Sequence, residues 1–241
     1  MANETDLATA VATEIAKQIP VKDALQPAAR QTGQILQDVI KAVQLALAPI
    51  QLAGALQDRL RHFLDTSVRR VPEENRLTPP PQLLGPIIES IRYEPEGTHI
   101  DTMFSELLSA SMDSSRVKDA HPAFVSIIRS LSSDEARLLK AIANRPLKQT
   151  FTQQLDFANQ QFAPPVIEAA ELPDELYFPE NARAYFGHLM QLGLVGEQPQ
   201  KGRRAQETIN EDGKQSGLRT HNEFFMTIWG QLFMKAVSPR K

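Results

Sequence analysis

Five prolines, Pro72, Pro79, Pro80, Pro81 and Pro86, fall between Val71 and Pro86. A helix interior does not readily hold them, because the ring removes a backbone donor and clashes with the preceding turn. The residue before each proline is also pushed toward extended backbone. The stretch therefore reads as a linker or a rigid extended crossing, and it divides the chain. N-terminal to it the apolar residues recur at helical spacing. Leu7, Ala8, Val11, Ala12, Ile15 and Ile19 form one short amphipathic face that Pro20 stops. Ile35, Leu36, Val39, Ile40, Val43 and Leu47 form a broader face, resumed beyond Pro49 by Leu52, Leu56, Leu60, Phe63 and Leu64. These runs make a helical hairpin, or one helix kinked at Pro49.

Beyond the prolines, Thr98 is placed to cap a helix with Asp101 in its first turn, and Ile100, Met103, Phe104, Leu107, Leu108 and Ser111 share one face of it. Pro122 suits the first turn of a second helix carrying Phe124, Val125, Ile127, Ile128 and Leu131, which packs on the first. Ser132-Ser133-Asp134-Glu135 is a stronger start signal. Ser132 can cap while Glu135 reaches back to it, and the helix runs through Leu138, Leu139, Ile142 and Ala143 toward Pro146.

Residues 150–182 hold no Lys or Arg but carry Asp156, Glu168, Glu171, Asp174, Glu175 and Glu180, and they read as a solvated acidic loop. Ala184, Tyr185, Leu189 and Leu192 mark a further helix, and Gly193-Leu194-Val195-Gly196 a stop followed by a short strand. A polar loop, 198–220, separates that strand from Glu223-Phe224-Phe225-Met226-Thr227, and Thr227 caps a closing helix that begins at Ile228. Helix, strand, flexible loop, strand is the order of a winged-helix unit. The expected fold is mainly α, a helical N-terminal lobe followed by a winged-helix-like C-terminal lobe with a small β-hairpin wing. Its segments are a variable N-terminal extension over 1–26, an amphipathic, apolar helical stretch over 27–75, a Pro-rich crossing with a helical middle over 76–122, and the winged-helix-like domain over 123–241.

The composition removes several chemistries. The chain has 241 residues, 41% of them hydrophobic, enough for a packed core in two lobes. The absence of cysteine excludes disulfides, thiolate nucleophiles, zinc fingers and cysteine-held iron–sulfur clusters. The five histidines, His62, His99, His121, His188 and His221, stand far apart, with no pair at metal-ligand spacing on one helical face. His99 with Asp101 is the nearest approach to an acid–base pair, and capping already explains the aspartate. No phosphate-cradling glycine loop and no nucleophile elbow occurs. No catalytic residue, metal site or cofactor is therefore assigned, and the expected protein is not an enzyme. The acidic start, Met1 to Asp6, lacks the pattern of a secretory signal, so the expected location is the cytoplasm.

Two surfaces remain as candidates. The uncharged run over 42–57 is 16 residues long, short of the roughly 20 a spanning helix needs. Beside Arg59, Arg61, Arg69 and Arg70 it is either a bundle core or a peripheral membrane segment that would use Leu45, Leu47, Ile50 and Leu52. The second candidate is the wing, where Lys201, Arg203 and Arg204, with Lys214 and Arg219, outnumber Glu207, Glu211 and Asp212 and could contact nucleic acid or another anion. Against a DNA-binding use, the overall charge is −3, and the helix that would enter a groove offers only the mixed set Glu180, Arg183, His188 and Gln191.

The succession Leu77-Thr78-Pro79-Pro80-Pro81, Met103-Phe104-Ser105-Glu106-Leu107-Leu108-Ser109-Ala110-Ser111-Met112, His121-Pro122-Ala123-Phe124-Val125 and Leu131-Ser132-Ser133-Asp134-Glu135-Ala136-Arg137-Leu138-Leu139 resembles the Abi-alpha family of bacterial proteins. The likeness covers roughly residues 30–237, with the Gly-Leu-Val and Thr-x-x-Gly elements near the end. It implies a mainly helical protein associated with abortive infection, the limiting of phage spread by halting an infected cell. It brings no catalytic residues with it. The expected function is accordingly phage defence through protein contacts foremost, or membrane contacts. The alternatives are a winged-helix DNA-binding regulator and a peripheral membrane effector using residues 42–56.

Overall fold

The structure, a computed structural model, describes residues 54–240. The expected helices N-terminal to Gly54 lie outside the described residues, as does Pro49. The chain divides into two compact units, residues 54–130 with 235–240 in one and Leu131–Met234 in the other. The change of unit falls after Ser130.

In the first unit, α1 (Gly54–Arg69), α2 (Pro81–Ile91) and α4 (Ala123–Ser130) pack around α3 (His99–Ser111). Thr98 caps α3 as its sequence predicts, its hydroxyl accepting the Asp101 N–H at 3.0 Å. Ten of the 13 residues of α3 are buried, among them Ser105, Glu106, Ser109 and Ser111. Polar groups this deep must be satisfied from within. A serine seam does so: Ser67 of α1 donates to the Phe63 carbonyl at 2.8 Å and lies 2.9 Å from the Ser105 hydroxyl, while Ser109 donates to the carbonyls of Ser67 and Ser105.

The extended backbone expected through Pro86 stops at Pro80. Pro81 opens α2, where its missing N–H costs nothing, and Pro86 sits inside the helix. The burial of Leu83, Leu84, Ile87, Ile88 and Ile91 along α2 offsets the lost backbone bond.

The second unit corrects the expected fold. Six strands, β1 (Leu147–Asp156), β2 (Gln161–Phe162), β3 (Val166–Ala170), β4 (Val195–Pro199), β5 (Gln206–Ile209) and β6 (Gln215–Met226), form one antiparallel sheet curled into a half-barrel. The unit also contains α5 (Ser133–Asn144), α6 (Ala182–Gln191) and α7 (Ile228–Val237), whose last residues from Lys235 belong to the first unit. The protein is mixed α and β, not mainly α with a winged helix. The expected pairing of Val195 and its neighbours with 222–226 is present between β4 and β6. However, β6 continues back to Gln215, pairs with β5 on the same edge, and pairs along its opposite edge with β1, from Leu147↔Phe224 to Gln154↔Gly217.

The segment taken for an acidic loop supplies most of β1 and all of β2 and β3. Its charge concealed a period of two: Leu147, Gln149 and Phe151 are buried while Lys148 is exposed, and the threonines between them suit a pleated surface. Gly217 fits the crowded β1–β6 crossing, since a Cβ there would lie 2.3 Å from the Gln153 carbonyl oxygen. On the buried face, Phe224 of β6 meets Phe186 of α6 with ring centroids 4.3 Å apart and Phe151 of β1 edge-on at 6.4 Å. Leu138, Leu139 and Ile142 of α5 and Leu189 of α6 complete this core.

Candidate functional site

One group of titratable side chains in the second unit grows from the start of α5. The capping box predicted for Ser132 and Glu135 is formed, with the Glu135 N–H donating to Ser132 Oγ at 3.2 Å and the Ser132 N–H to Glu135 Oε2 at 2.7 Å. The other carboxylate oxygen of Glu135 lies 2.6 Å from Nδ1 of His188 on α6. Asp134, 2% exposed, accepts the backbone N–H groups of Tyr177 and Phe178, both at 2.9 Å, and the Arg137 guanidinium at 3.1 Å. Burial works to raise the Asp134 pKa. The two backbone donors and Arg137 together outweigh it and hold the carboxyl below its ordinary value. Arg137 also stacks over the Tyr177 ring, 4.2 Å from its centroid.

Chemically this is a clamp. Both carboxylates are engaged by donors, and the backbone that Asp134 seizes is that of Tyr177 and Phe178, whose rings stay 68% and 57% exposed. The α6 helix turns one face inward. Ala182, Phe186 and Leu189 are buried, and His188 faces Glu135.

On the sheet surface, Arg219 of β6 grips Glu168 of β3 through two bonds, at 2.6 and 2.7 Å, and Thr152 donates to the same carboxylate. The Thr152 hydroxyl foremost, with Arg219, lowers the Glu168 pKa. Gln149 is buried at 2% exposure with no hydrogen-bond partner among the described residues for either end of its amide, an unfavourable arrangement in a core. In the first unit, buried Glu106 is held by Arg70 at 2.9 Å and Arg116 at 3.4 Å, and Arg70 also donates to Ser105. This network was invisible to a reading of helical faces, because Glu106 stands in a run whose apolar neighbours alone define the core.

The residues singled out in the sequence are not gathered into one site. Lys201, Arg203 and Arg204 lie together on the exposed connection from β4 to β5, and their side chains have no partner among the described residues. Leu45, Leu47, Ile50 and Leu52 lie outside the described residues. The Asp101 carboxylate takes Arg59 at 2.6 Å and the Gly97 N–H at 3.0 Å. Among the described residues no group of three His, Asp or Glu side chains could hold a metal ion, and no helix is long and apolar enough to cross a membrane.

The described residues thus define a two-unit α/β protein whose polar clusters fasten its own segments. The family model named Abortive infection alpha matches residues 54–237, both units together, and the chain belongs to that family. The family resemblance drawn from the sequence is thereby shown, and with it an association with abortive infection at the level of the family. No curated protein and no solved structure matches the chain.

Proposed function

We propose that this chain serves phage defence by abortive infection without chemistry of its own, by holding another protein on its second unit. The observation that supports the reading is a concentration of exposed large apolar side chains in one segment. Phe157, Phe162, Val166, Tyr177 and Phe178 are 58%, 43%, 67%, 68% and 57% exposed. Single exposed apolar residues are ordinary, but several in one segment, three of them phenylalanine, mark an interaction surface. The segment is also held in place. The Asp134 clamp fixes Tyr177 and Phe178, and the Arg183 guanidinium bonds the Pro165 carbonyl, fastening the start of α6 beside the start of β3.

The test is phage plating on cells carrying the full chain or a variant with Phe157, Phe162, Tyr177 and Phe178 changed to serine. Reduced plaque formation with the native chain and its loss with the variant is the expected result, provided the variant keeps the native circular dichroism. Equal protection by the folded variant overturns the reading.

A further inference from the structure

A sheet curled only halfway round keeps two open edges, and each presents a row of backbone N–H and C=O groups. Among the described residues those edges are β3, which pairs only with β1, and β4 with β5, which pair only with β6. Neither β3 nor β5 contains proline or lysine, two of the usual blocks to edge pairing. Both expose a large aliphatic side chain, Val166 at the start of β3, 67% exposed, and Ile209 at the end of β5, 64% exposed.

The charges flanking the two edges are opposite. Asp174 and Glu175 follow β3, exposed and without a partner among the described residues, while Lys201, Arg203 and Arg204 precede β5 in the same condition. The acids of the strand itself and its end are already neutralised, Glu168 by Arg219 and Glu171 by Arg145.

We infer that these edges join successive copies of this chain, β3 of one copy lying antiparallel beside β5 of the next. The antiparallel direction follows from the order of residues. It brings the acids after β3 toward the cations before β5, and Val166 toward Ile209. Pairing β3 antiparallel with a second β3 would set its acids against the uncharged residues before β3, with no cation to meet; pairing β5 antiparallel with a second β5 would set its cations against Glu211 and Asp212, an arrangement that the Asp174→Lys, Glu175→Lys variant below would leave intact and so tells apart. A contact of β3 with β5 is head-to-tail, which builds rings or chains rather than a closed two-fold dimer. This inference names the partner for the surface proposed above and rests on that reading for its role in defence. The association itself is measured without phage, so its failure is distinct from a failure of protection.

Sedimentation velocity of the full chain, over a range of concentrations at low and high salt, reads the outcome. Species larger than a monomer are expected at low salt, declining as salt shortens the screening length below about 10 Å. Two variants are compared, one with Lys201→Glu, Arg203→Glu and Arg204→Glu, the other with Asp174→Lys and Glu175→Lys. Each alone should stay monomeric, because its two edges then carry the same sign. An equimolar mixture should recover the larger species, because the edges of one variant complement those of the other. A native chain that remains monomeric at low salt, variants that assemble as the native chain does, or a mixture that stays monomeric each overturns the inference.

Discussion

Asp134 shows how one side chain can be read two ways. In the sequence it is an acid in the first turn of a helix, favoured there by the helix dipole. In the structure it is also the anchor for backbone 43 and 44 residues further along the chain. Nothing in the local pattern announces those long-range donors, so the sequence could place Asp134 at a helix start and could not find its clamp. The pKa of the carboxyl is lowered in the folded chain. Its contribution to stability is therefore fully present above the unfolded value of about 3.9 and is lost as pH falls through the lower folded value. Asp134→Asn should cost about 1–3 kcal/mol at neutral pH, since its amide cannot accept from every donor the carboxylate serves. Urea unfolding of the two chains should show that gap closing as the pH is lowered below about 4, where the unfolded chain takes up the proton first, and gone once the folded carboxyl is protonated as well. A gap that stays constant to the lowest pH would show that Asp134 does not act through its charge.

Elements announced by capping chemistry were legible, and those announced only by partners were not. The helices at Thr98, Ser132 and Thr227 begin where their hydroxyls accept first-turn N–H groups, each within three residues of sequence. Gly193 ends α6 in a left-handed conformation at φ 71°, with the Leu194 N–H bonding back to the Leu189 carbonyl at 3.0 Å. By contrast, β1 needs β6, about 70 residues away, before its alternation means anything, and the acidic composition of the segment outweighed that alternation when read alone. The Thr227-x-x-Gly230 element joins these two kinds of information. Thr227 accepts the Gly230 N–H at 2.9 Å and donates to the Gly193 carbonyl at 2.6 Å, tying the start of α7 to the end of α6. Gly230 is needed because a Cβ there would lie 2.0 Å from the Leu194 carbonyl oxygen. Gly230→Ala should therefore destabilise the chain by about 1–3 kcal/mol through forced displacement, despite the better helix propensity of alanine. Thermal unfolding monitored by circular dichroism would detect it, and an unchanged or raised midpoint would show that the β4 end of the sheet yields freely.

The path of the chain as a whole was the least legible feature, because the final residues leave the unit that precedes them. Two of their charged side chains meet buried acids of the first unit: Lys235 reaches Asp119 at 2.9 Å and Arg240 reaches Asp113 at 3.3 Å. In return, Arg116 donates to the carbonyls of Lys235, Ala236 and Ser238, satisfying groups at the end of α7 that have no acceptor role left inside the helix. The acids at Asp113 and Asp119, 2% and 4% exposed, give the tail a destination that no local sequence pattern announces. Removing residues 235–241 would leave both carboxylates buried without their cations and Arg116 without three acceptors. Loss of a partner from a buried charge is strongly unfavourable, on the order of 3–5 kcal/mol for a well-formed pair, and less for each pair here because Lys235 and Arg240 are more than half exposed. Hydrogen exchange should then show the loss of protection concentrated in α3, α4 and the 112–120 connection. Unaltered protection there in the truncated chain would mean that the tail decorates the first unit without stabilising it.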